Sequence, residues 1–164
     1  MPNVHLNRKI VIMGATGSGR KTIFRLFLEG GSKDMITGTG ITIMPIIVDG
    51  IECQLVGYTS QARFYFGWPV LLKNSRAILL VVDSSDRNDC EWSRRFVSMI
   101  YEHAPNVPWS IIANKQDLKE ALSPARIAGI FDGKAPVVPL IATDRSSRAT
   151  LLQVLHDLLS PNKP

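Results

Sequence analysis

The chain has few cysteines and no long hydrophobic run. Cys53 and Cys90 are its only cysteines, and their spacing matches neither a metal site nor a disulfide framework. No stretch approaches the roughly 18 consecutive apolar residues that span a bilayer, and residues 1–7 contain no apolar signal core. We therefore expect a protein of a reducing, cytoplasmic compartment that is neither exported nor inserted into a membrane.

The chain also lacks a continuous basic segment. Its net charge is +5, but lysines and arginines occur in ones and twos, without the interleaved aromatic residues typical of nucleic-acid-binding surfaces. This pattern predicts a solvated charged surface and no nucleic-acid partner. At 164 residues, with 45% hydrophobic and 20% charged residues, the chain has the size and composition of one globular domain.

Short apolar runs alternate with segments of helical periodicity, which is typical of an α/β sheet covered on both faces. The predicted strands are residues 10–13, 41–48, 51–56, 77–82, 110–113 and 137–141. The predicted helices are residues 21–28, 91–103, 124–130 and 146–159, with a helical turn at 69–73. Asp49-Gly50 favours a hairpin turn, and Pro45 places the preceding strand at a sheet edge. Residues 29–40 and 57–67 are predicted to be irregular loops.

A glycine-rich segment between the first strand and the first helix indicates a phosphate-binding loop. Glycines allow successive backbone N–H groups and the helix N-terminus to face phosphate oxygens. Gly14 and Gly19 have the spacing of the phosphate-loop motif, but Arg20 and Lys21 occupy the positions where lysine and a hydroxyl residue are expected. The predicted nucleotide-binding residues of this segment are Gly14, Thr16, Gly17, Ser18, Gly19, Arg20, Lys21 and Thr22.

A second motif, Asn114-Lys115-Gln116-Asp117, follows the predicted strand at 110–113. A carboxylate at Asp117 can accept hydrogen bonds from N1–H and the N2 amine of guanine, whereas adenine offers neither donor. Asn114 can tie this segment to the phosphate loop, and the Lys115 stem can lie over the base. Downstream, the Ala142 N–H can meet guanine O6, and Thr143 follows it. A polar helix-entry loop is the alternative interpretation of these residues.

Three segments, Val82–Arg87, Ala113–Leu118 and Ala142-Thr143, resemble those of small GTPases of the ADP-ribosylation-factor (Arf) type. The resemblance is ungapped from residue 10 to 24 and extends over about residues 8–160. It implies a P-loop NTPase fold, with a mostly parallel six-stranded sheet and five helices on its two faces. It also implies binding of GDP or GTP with Mg²⁺ and signalling through two switch loops.

The phosphate loop departs from the family pattern, and two alignments remain open. In the ungapped alignment Arg20 replaces the phosphate-binding lysine and Lys21 replaces the hydroxyl that binds Mg²⁺. Arginine can bind phosphate bidentately, but it is larger and planar. An ammonium group cannot ligate a metal. A one-residue slip gives Lys21 and Thr22 the usual phosphate and metal roles. In a third interpretation, Arg20 and Lys21 are merely exposed charges at the start of a helix.

The second switch departs as well. Gly57 replaces the carboxylate that orients Mg²⁺ through water in the family, and Ser60 replaces the glycine that senses the γ-phosphate. Gln61 matches the residue that positions the attacking water and is the candidate catalytic residue. Thr39, 18 residues before Gly57, is the candidate metal-binding threonine of the first switch. Its alternatives are Thr37 and Thr42, and all three are also compatible with an ordinary polar loop.

Attachment to membranes and partners is predicted from the same comparison. Pro2 excludes the N-terminal glycine that myristoylation requires, and no prenylation cysteine ends the chain, so we expect no lipid anchor. We expect a protein partner at the switch regions, which comprise the Thr39 loop and an aromatic patch at Tyr65, Phe66, Trp68 and Pro69; packing of this patch in the core is the alternative. Residues 1–7 form a short extension, 8–160 the domain, and 161–164 a tail.

Three functions are compatible with these residues. The first is a guanine-nucleotide-binding regulatory or interaction module with weak or absent GTP hydrolysis, because the base motif is intact and the metal and γ-phosphate motifs are altered. The second is an active GTP/GDP switch that uses the slipped alignment. The third is a nucleotide-free pseudo-GTPase scaffold. The sequence leaves both GTP hydrolysis and Mg²⁺ binding open.

Overall fold

The computed structural model describes residues 8–29, 36–38, 40–58 and 67–160 of the chain. Its strands are β1 (Lys9–Gly14), β2 (Ile36–Gly38), β3 (Ile41–Val48), β4 (Ile51–Tyr58), β5 (Ser75–Asp83), β6 (Trp109–Asn114) and β7 (Val137–Pro139). Its helices are α1 (Arg20–Glu29), α2 (Trp68–Leu72), α3 (Arg87–Trp92), α4 (Arg94–His103), α5 (Pro124–Ile130) and α6 (Ser147–Leu159). Every strand and helix predicted from the sequence is present, although most ends are shifted and the helix predicted at 91–103 is divided in two.

The strands form one sheet in the order β2-β3-β4-β1-β5-β6-β7. The five neighbouring strands β4, β1, β5, β6 and β7 pair in parallel, while β3 pairs antiparallel with β4 and with β2. The predicted α/β fold with a mostly parallel sheet is therefore confirmed. Because parallel strands end at the same edge, the segments after β1, β5 and β6 meet there, as expected for a ligand site in such a sheet.

Side chains of the sheet alternate between two cores. In β1, Ile10 and Ile12 pack with α1 and α6, whereas Val11 and Met13 pack with the layer of helices α2 to α5. Helices α1 and α6 cover one face of the sheet, and α2 to α5 cover the other. The predicted coverage of both faces is confirmed. Within the described residues, no helix is long and apolar enough to cross a membrane.

The sheet contains one strand more than predicted. Residues 36–38 lie in the segment predicted to be a loop, yet they form β2 and pair with residues 41–43 of β3. The edge position predicted for β3 is therefore wrong for its first residues, although Pro45 lies beyond the last residue that β2 pairs. Three residues are too few to give a periodic pattern, which explains why the strand was missed.

Three further boundaries differ from the prediction. Gly57 lies inside β4, opposite Thr42 of β3, and not in a loop. The helix predicted at 91–103 is two helices, α3 and α4, separated at Ser93. The first begins early because the Asp86 carboxylate caps it by accepting the N–H groups of Asn88 and Asp89. With the short α2, the described residues contain six helices, one more than the five implied by the resemblance.

Candidate functional site

The loop between β1 and α1 is shaped by three glycines. Gly14, Gly17 and Gly19 have φ values of 154°, 87° and 111°, a region that side chains disfavour. A Cβ on Gly14 would collide with the Val81 carbonyl, and one on Gly19 would collide with the Asn114 amide. The backbone therefore makes a close turn before the first N–H groups of α1, which have no acceptor within the helix. This cradle fits a phosphate group bound by backbone donors.

Asn114 connects three segments of the candidate site. Its Nδ2 donates to the Ser18 carbonyl at 3.0 Å, and its Oδ1 accepts the Ala142 N–H at 2.9 Å. The side chain is buried, so both bonds are shielded from water. The predicted tie between Asn114 and the phosphate loop is confirmed. The Ala142 N–H, predicted to meet guanine O6, instead donates to Asn114 in this structure. A guanine O6 would have to compete for it.

Residues Asn114 to Asp117 are called the base segment. Lys115 forms a second connection between this segment and the phosphate loop. Its backbone has a positive φ of 66°, and its Nζ lies 2.7 Å from the Gly17 carbonyl and 2.8 Å from Asp83 Oδ2. Burial by itself would raise the pKa of Asp83, but the hydrogen bonds from Lys115 and Ser85 outweigh it and lower that pKa. The charged pair thus holds Lys115 alongside the loop, and the predicted contact of its stem with a base stays a prediction.

Sequence analysis missed Ser84 and Leu122, which hold the base segment through hydrogen bonds. Gln116 Nε2 donates to Ser84 Oγ at 2.8 Å and to the Leu122 carbonyl at 3.1 Å. The Ser84 N–H and carbonyl bond to the Asn114 carbonyl and the Leu122 N–H. Burial of Ser84, directly after a strand that ends in Asp83, could not be predicted from a four-residue motif. Asp117 and Thr143 are exposed at the rim of this assembly, as is Thr16 of the loop.

Arg20 does not project into solvent at the start of α1. It is only 6% exposed, and its guanidinium lies 5.5 Å from the ring centroid of Trp68. Trp68 makes edge-to-face contacts with Tyr58 and Phe96. Burial lowers the pKa of Arg20 to about 10, partly opposed by the charge of Asp89, so the group remains cationic at neutral pH. The third interpretation, an exposed helix-start charge, is therefore wrong for Arg20.

The neighbours of Arg20 differ from it in exposure. Lys21 is exposed and Thr22 is half-buried. Trp68 is 3% exposed, so core packing, the alternative to an exposed aromatic patch, is the correct interpretation for this residue. Among the described residues, Ser18 Oγ and Arg20 Nη1 are both buried without a hydrogen-bond partner.

The described residues that the ungapped alignment places beside Mg²⁺ do not fit that ion. Gly57 supplies no carboxylate, and a Cβ there would lie 2.6 Å from the Ile12 carbonyl, so the backbone leaves no room for a side chain. In the ungapped alignment, Lys21 brings a positive charge to the position of the metal-binding hydroxyl. No group of three or more His, Cys, Asp or Glu residues that could hold a metal occurs in the part of the chain that the structure describes. Thr42 is buried within β3.

Several predicted site residues lie outside the described ranges. These are Thr39 of the first switch and Ser60, Gln61, Tyr65 and Phe66 of the second, together with residues 1–7 and 161–164. For Thr37, only the backbone in β2 is described. Their predicted roles stay predictions.

Comparisons with known proteins agree with this geometry. The model of the ADP-ribosylation factor family matches residues 1–155. Mouse ADP-ribosylation factor-like protein 10 is 28% identical over 122 residues, which is 71% of this chain but only 48% of the mouse protein. Human ADP-ribosylation factor-like protein 5A is 25% identical over 126 residues, covering 76% of this chain and 70% of the human protein. The alignment with the mouse protein thus covers about half of that protein's length.

The extent of the family match and the order of strands and helices lead to the same assignment. The match includes the phosphate loop, the base segment and the last strand. The chain belongs to the ADP-ribosylation factor (Arf) family of GTP-binding small GTPases.

Proposed function

We propose that this chain binds a guanine nucleotide and acts as a cytoplasmic regulatory or interaction module with weak or absent GTP hydrolysis. The observation that carries the proposal is the burial of Arg20 against Trp68, beside a phosphate loop that Asn114 holds in a turned conformation. The loop can therefore receive phosphate through its backbone, while its expected cationic side chain is committed to the protein core.

Specificity for guanine is supported by the base segment. Asn114, Lys115 and Gln116 each bond to another segment, so the backbone that carries Asp117 is held in place before a ligand arrives. Pre-ordered groups bind a ligand at a smaller entropic cost. The exposed Asp117 carboxylate is then available to accept both donors of a guanine edge, a pairing that adenine cannot offer.

Weak hydrolysis is supported by the charges around the phosphate loop. Phosphoryl transfer depends on cations placed around the transferred group and usually on Mg²⁺ between the phosphates. Arg20 is buried, Lys21 offers no metal ligand, and Gly57 has no space for a carboxylate. Gln61 remains the candidate for positioning water, but one amide side chain does not replace the missing charge stabilisation.

Calorimetric titration of the purified chain with GDP, GTP and ATP, each with Mg²⁺ or with a chelator, tests the proposal. We expect GDP and GTP to bind with similar affinity, little dependence on Mg²⁺, and no binding of ATP. A strong Mg²⁺-dependent preference for GTP with steady phosphate release would instead establish the active switch. Absence of binding and of co-purifying guanine nucleotide would establish the nucleotide-free scaffold.

Replacing Asp117 by Asn tests the base contact directly. An amide at this position can donate to the O2 carbonyl that xanthine carries in place of the N2 amine of guanine. We expect Asp117→Asn to weaken GDP binding and to strengthen binding of xanthosine diphosphate. Asp157→Asn, an exposed change on α6, is the matched control. Equal affinity of both variants for GDP would refute the assignment of Asp117.

Replacing the two adjacent cations separates the two phosphate-loop alignments. If Arg20 is a core residue and Lys21 the cation nearest the phosphates, Lys21→Met should weaken GDP binding by about tenfold, the equivalent of one charged contact. Arg20→Met should lower stability with little effect on affinity. Thr22→Ala should leave the affinity unchanged with and without Mg²⁺. A Mg²⁺-dependent loss in Thr22→Ala would favour the slipped alignment and the active switch.

We place the protein partner at the switch regions, through the Thr39 loop and the segment from Tyr65 to Trp68. Trp68 would act from the core in this role by positioning α2, on which Val70 is 72% exposed. Val70→Asp is the informative variant, because it changes the surface of α2 without touching the packing of Trp68. Retention of the partner by Val70→Asp in pull-down experiments would exclude α2 from the interface.

A further inference from the structure

The helices α3, α4 and α5 border a groove on one side of the domain. Two adjoining cavities, of about 460 Å³ and about 480 Å³, share Glu91, Arg94 and Asp132 in their walls. No residue of the phosphate loop or of the segment from Asn114 to Asp117 lines either cavity. We call this pair of cavities the α3–α5 groove.

The wall of the α3–α5 groove is strongly basic. Its cationic residues are Arg87, Arg94, Arg95, Arg126 and Lys134. Its carboxylates are Glu91 and Asp132. Five cations against two carboxylates leave an excess of three positive charges, which is more than half of the chain's net charge of +5. Cations that are scattered along the sequence are thus gathered on one face.

The ion pairs inside the groove are exposed and easily exchanged. Arg94 lies 3.5 Å from Asp132, with side-chain exposures of 54% and 62%. Arg87 lies 3.6 Å from Glu91, with exposures of 70% and 47%. Pairs this exposed contribute little to stability. A carboxylate from outside can therefore share or displace them at small cost.

Three cations of the groove have no carboxylate within 4.0 Å among the described residues. Arg95 lies 5.5 Å from the ring centroid of Trp92, Lys134 lies 5.5 Å from that of Tyr101, and Arg126 is exposed on α5. Four of the five groove cations are arginines, whose planar guanidinium groups match carboxylates bidentately. The groove thus offers donors for several acidic side chains at once.

The floor of the groove is apolar. Phe131 is buried beneath it, and Val97, Leu122 and Ile130 are half-buried in its walls. An apolar floor between basic rims suits a segment that carries acidic residues around an apolar one. A phosphate backbone or an anionic bilayer fits less well, because it brings no backbone N–H donor opposite Glu91 and Asp132, as a peptide does. A bilayer surface is also too flat to enter a groove between helices.

We propose that the α3–α5 groove is a docking site for an acidic segment of a partner protein, with apolar residues between its carboxylates. The segment pairs its carboxylates with Arg94, Arg95 and Arg126 and places an apolar side chain over Phe131. Backbone N–H groups or a basic residue of the segment face Glu91 and Asp132. Trp68 and Val70, on the described part of the second switch, do not line the groove, so it provides a second interface on the same domain.

A binding assay with a defined peptide tests the proposal on the full chain. The probe is a fluorescein-labelled peptide of Glu-Glu-Leu repeats, and the comparison peptide replaces each Glu by Gln. We expect fluorescence anisotropy to rise when the chain is added to the acidic peptide but not when it is added to the Gln peptide. The affinity for the acidic peptide should fall as salt is added. Equal binding of the Gln peptide would overturn the proposal, because recognition would then not depend on charge.

The variant Arg94→Glu/Arg126→Glu locates the site. Both residues lie in the first turn of their helices, where an acidic residue is favourable, so the domain should stay folded. We expect peptide affinity to fall by at least about tenfold, as for the loss of a few charge contacts. The control is Arg25→Glu/Arg76→Glu, which changes the net charge equally at exposed positions outside the groove. Equal losses in both variants would overturn the proposed location.

Competition distinguishes the possible anionic partners. Single-stranded RNA and vesicles containing phosphatidylserine are added separately to the complex of the chain with the labelled peptide. We expect the unlabelled acidic peptide to displace the probe at lower concentration than either. Stronger displacement by RNA or by vesicles, with direct binding of that competitor lost in Arg94→Glu/Arg126→Glu, would overturn the proposal in favour of that other partner class. Since the assay requires no nucleotide, its outcome is independent of the function proposed above.

Discussion

On the base side of the candidate site, Asn114, Lys115 and Gln116 reach the phosphate loop and the end of β5 and meet hydrogen-bond partners there. On the phosphate side, Ser18 and Arg20 are buried with atoms that lack a partner among the described residues, and Gly57 leaves no space for a side chain. One half of the site is ordered by polar contacts, and the other by packing. We therefore expect that nucleotide recognition and nucleotide hydrolysis can be lost separately in this chain.

The packing on the phosphate side gives the largest expected effect. Trp68→Ala removes the ring that contacts Tyr58, Phe96 and the Arg20 guanidinium, and leaves a cavity beside a buried charge. We expect a loss of about 3–5 kcal/mol in the free energy of unfolding, measured by urea denaturation. Val70→Ala on the same helix is 72% exposed and should change it by less than about 0.5 kcal/mol. A small loss in Trp68→Ala would show that packing does not order this side.

The polar contacts of the base side give the next largest effect. Asn114→Ala leaves the Ser18 carbonyl and the Ala142 N–H without their partner in a buried setting. We expect a loss of about 2–4 kcal/mol in stability, together with loss of GDP binding in calorimetry. Asn88→Ala, at an exposed position of α3, is the control. Full GDP binding by Asn114→Ala would contradict the division of the site into a base half and a phosphate half.

Gly57, where the family has the carboxylate that orients Mg²⁺, provides a test with a smaller effect whose direction is predicted. Gly57→Ala forces a Cβ towards the Ile12 carbonyl, and we expect a loss of about 1–3 kcal/mol in stability, as for overpacking. Gly129→Ala lies in α5 with no atom within 4 Å of the new Cβ, so it should stabilise by about 0.5–1 kcal/mol. Equal effects of the two changes in thermal denaturation would show that Gly57 is free to carry a side chain.

The smallest effect distinguishes two carboxylates by their response to pH. Burial raises the pKa of Asp89 to about 6, against the hydrogen bond from the Asp83 N–H, whereas the pKa of Asp83 lies below its ordinary value. Because the folded-state pKa of Asp89 is raised, its contribution to stability is present below pH 3.8 and is lost as the pH rises through about 6. The contribution of Asp83 is present above pH 3.8 and is lost as the pH falls through its lowered pKa.

The change Asp89→Asn isolates this effect. Urea denaturation across pH 3.8 to about 6 should show a flatter pH dependence of stability in this variant than in the native chain. Asp157→Asn, exposed on α6, should follow the native curve. Parallel curves for Asp89→Asn and the native chain would show that Asp89 does not titrate in this range.

The sequence by itself determined the alternation of strands and helices, because apolar periodicity reports directly which faces are buried. It also determined the place of the phosphate loop and of the base segment, since both follow strands, and it identified the tie from Asn114. It could not determine the three-residue strand β2, which is too short for a period, or the break between α3 and α4 at Ser93.

Only the tertiary structure decided the environment of each charge. Arg20 is buried because α2 places Trp68 over it, although the two residues are far apart in sequence. The Ala142 N–H is bound to Asn114 because β6 and β7 are neighbours in the sheet. The cations of α3, α4 and α5 form one basic groove because α3 packs against both α4 and α5. Burial and electrostatic fields depend on distances in space, and a sequence gives only distances along the chain.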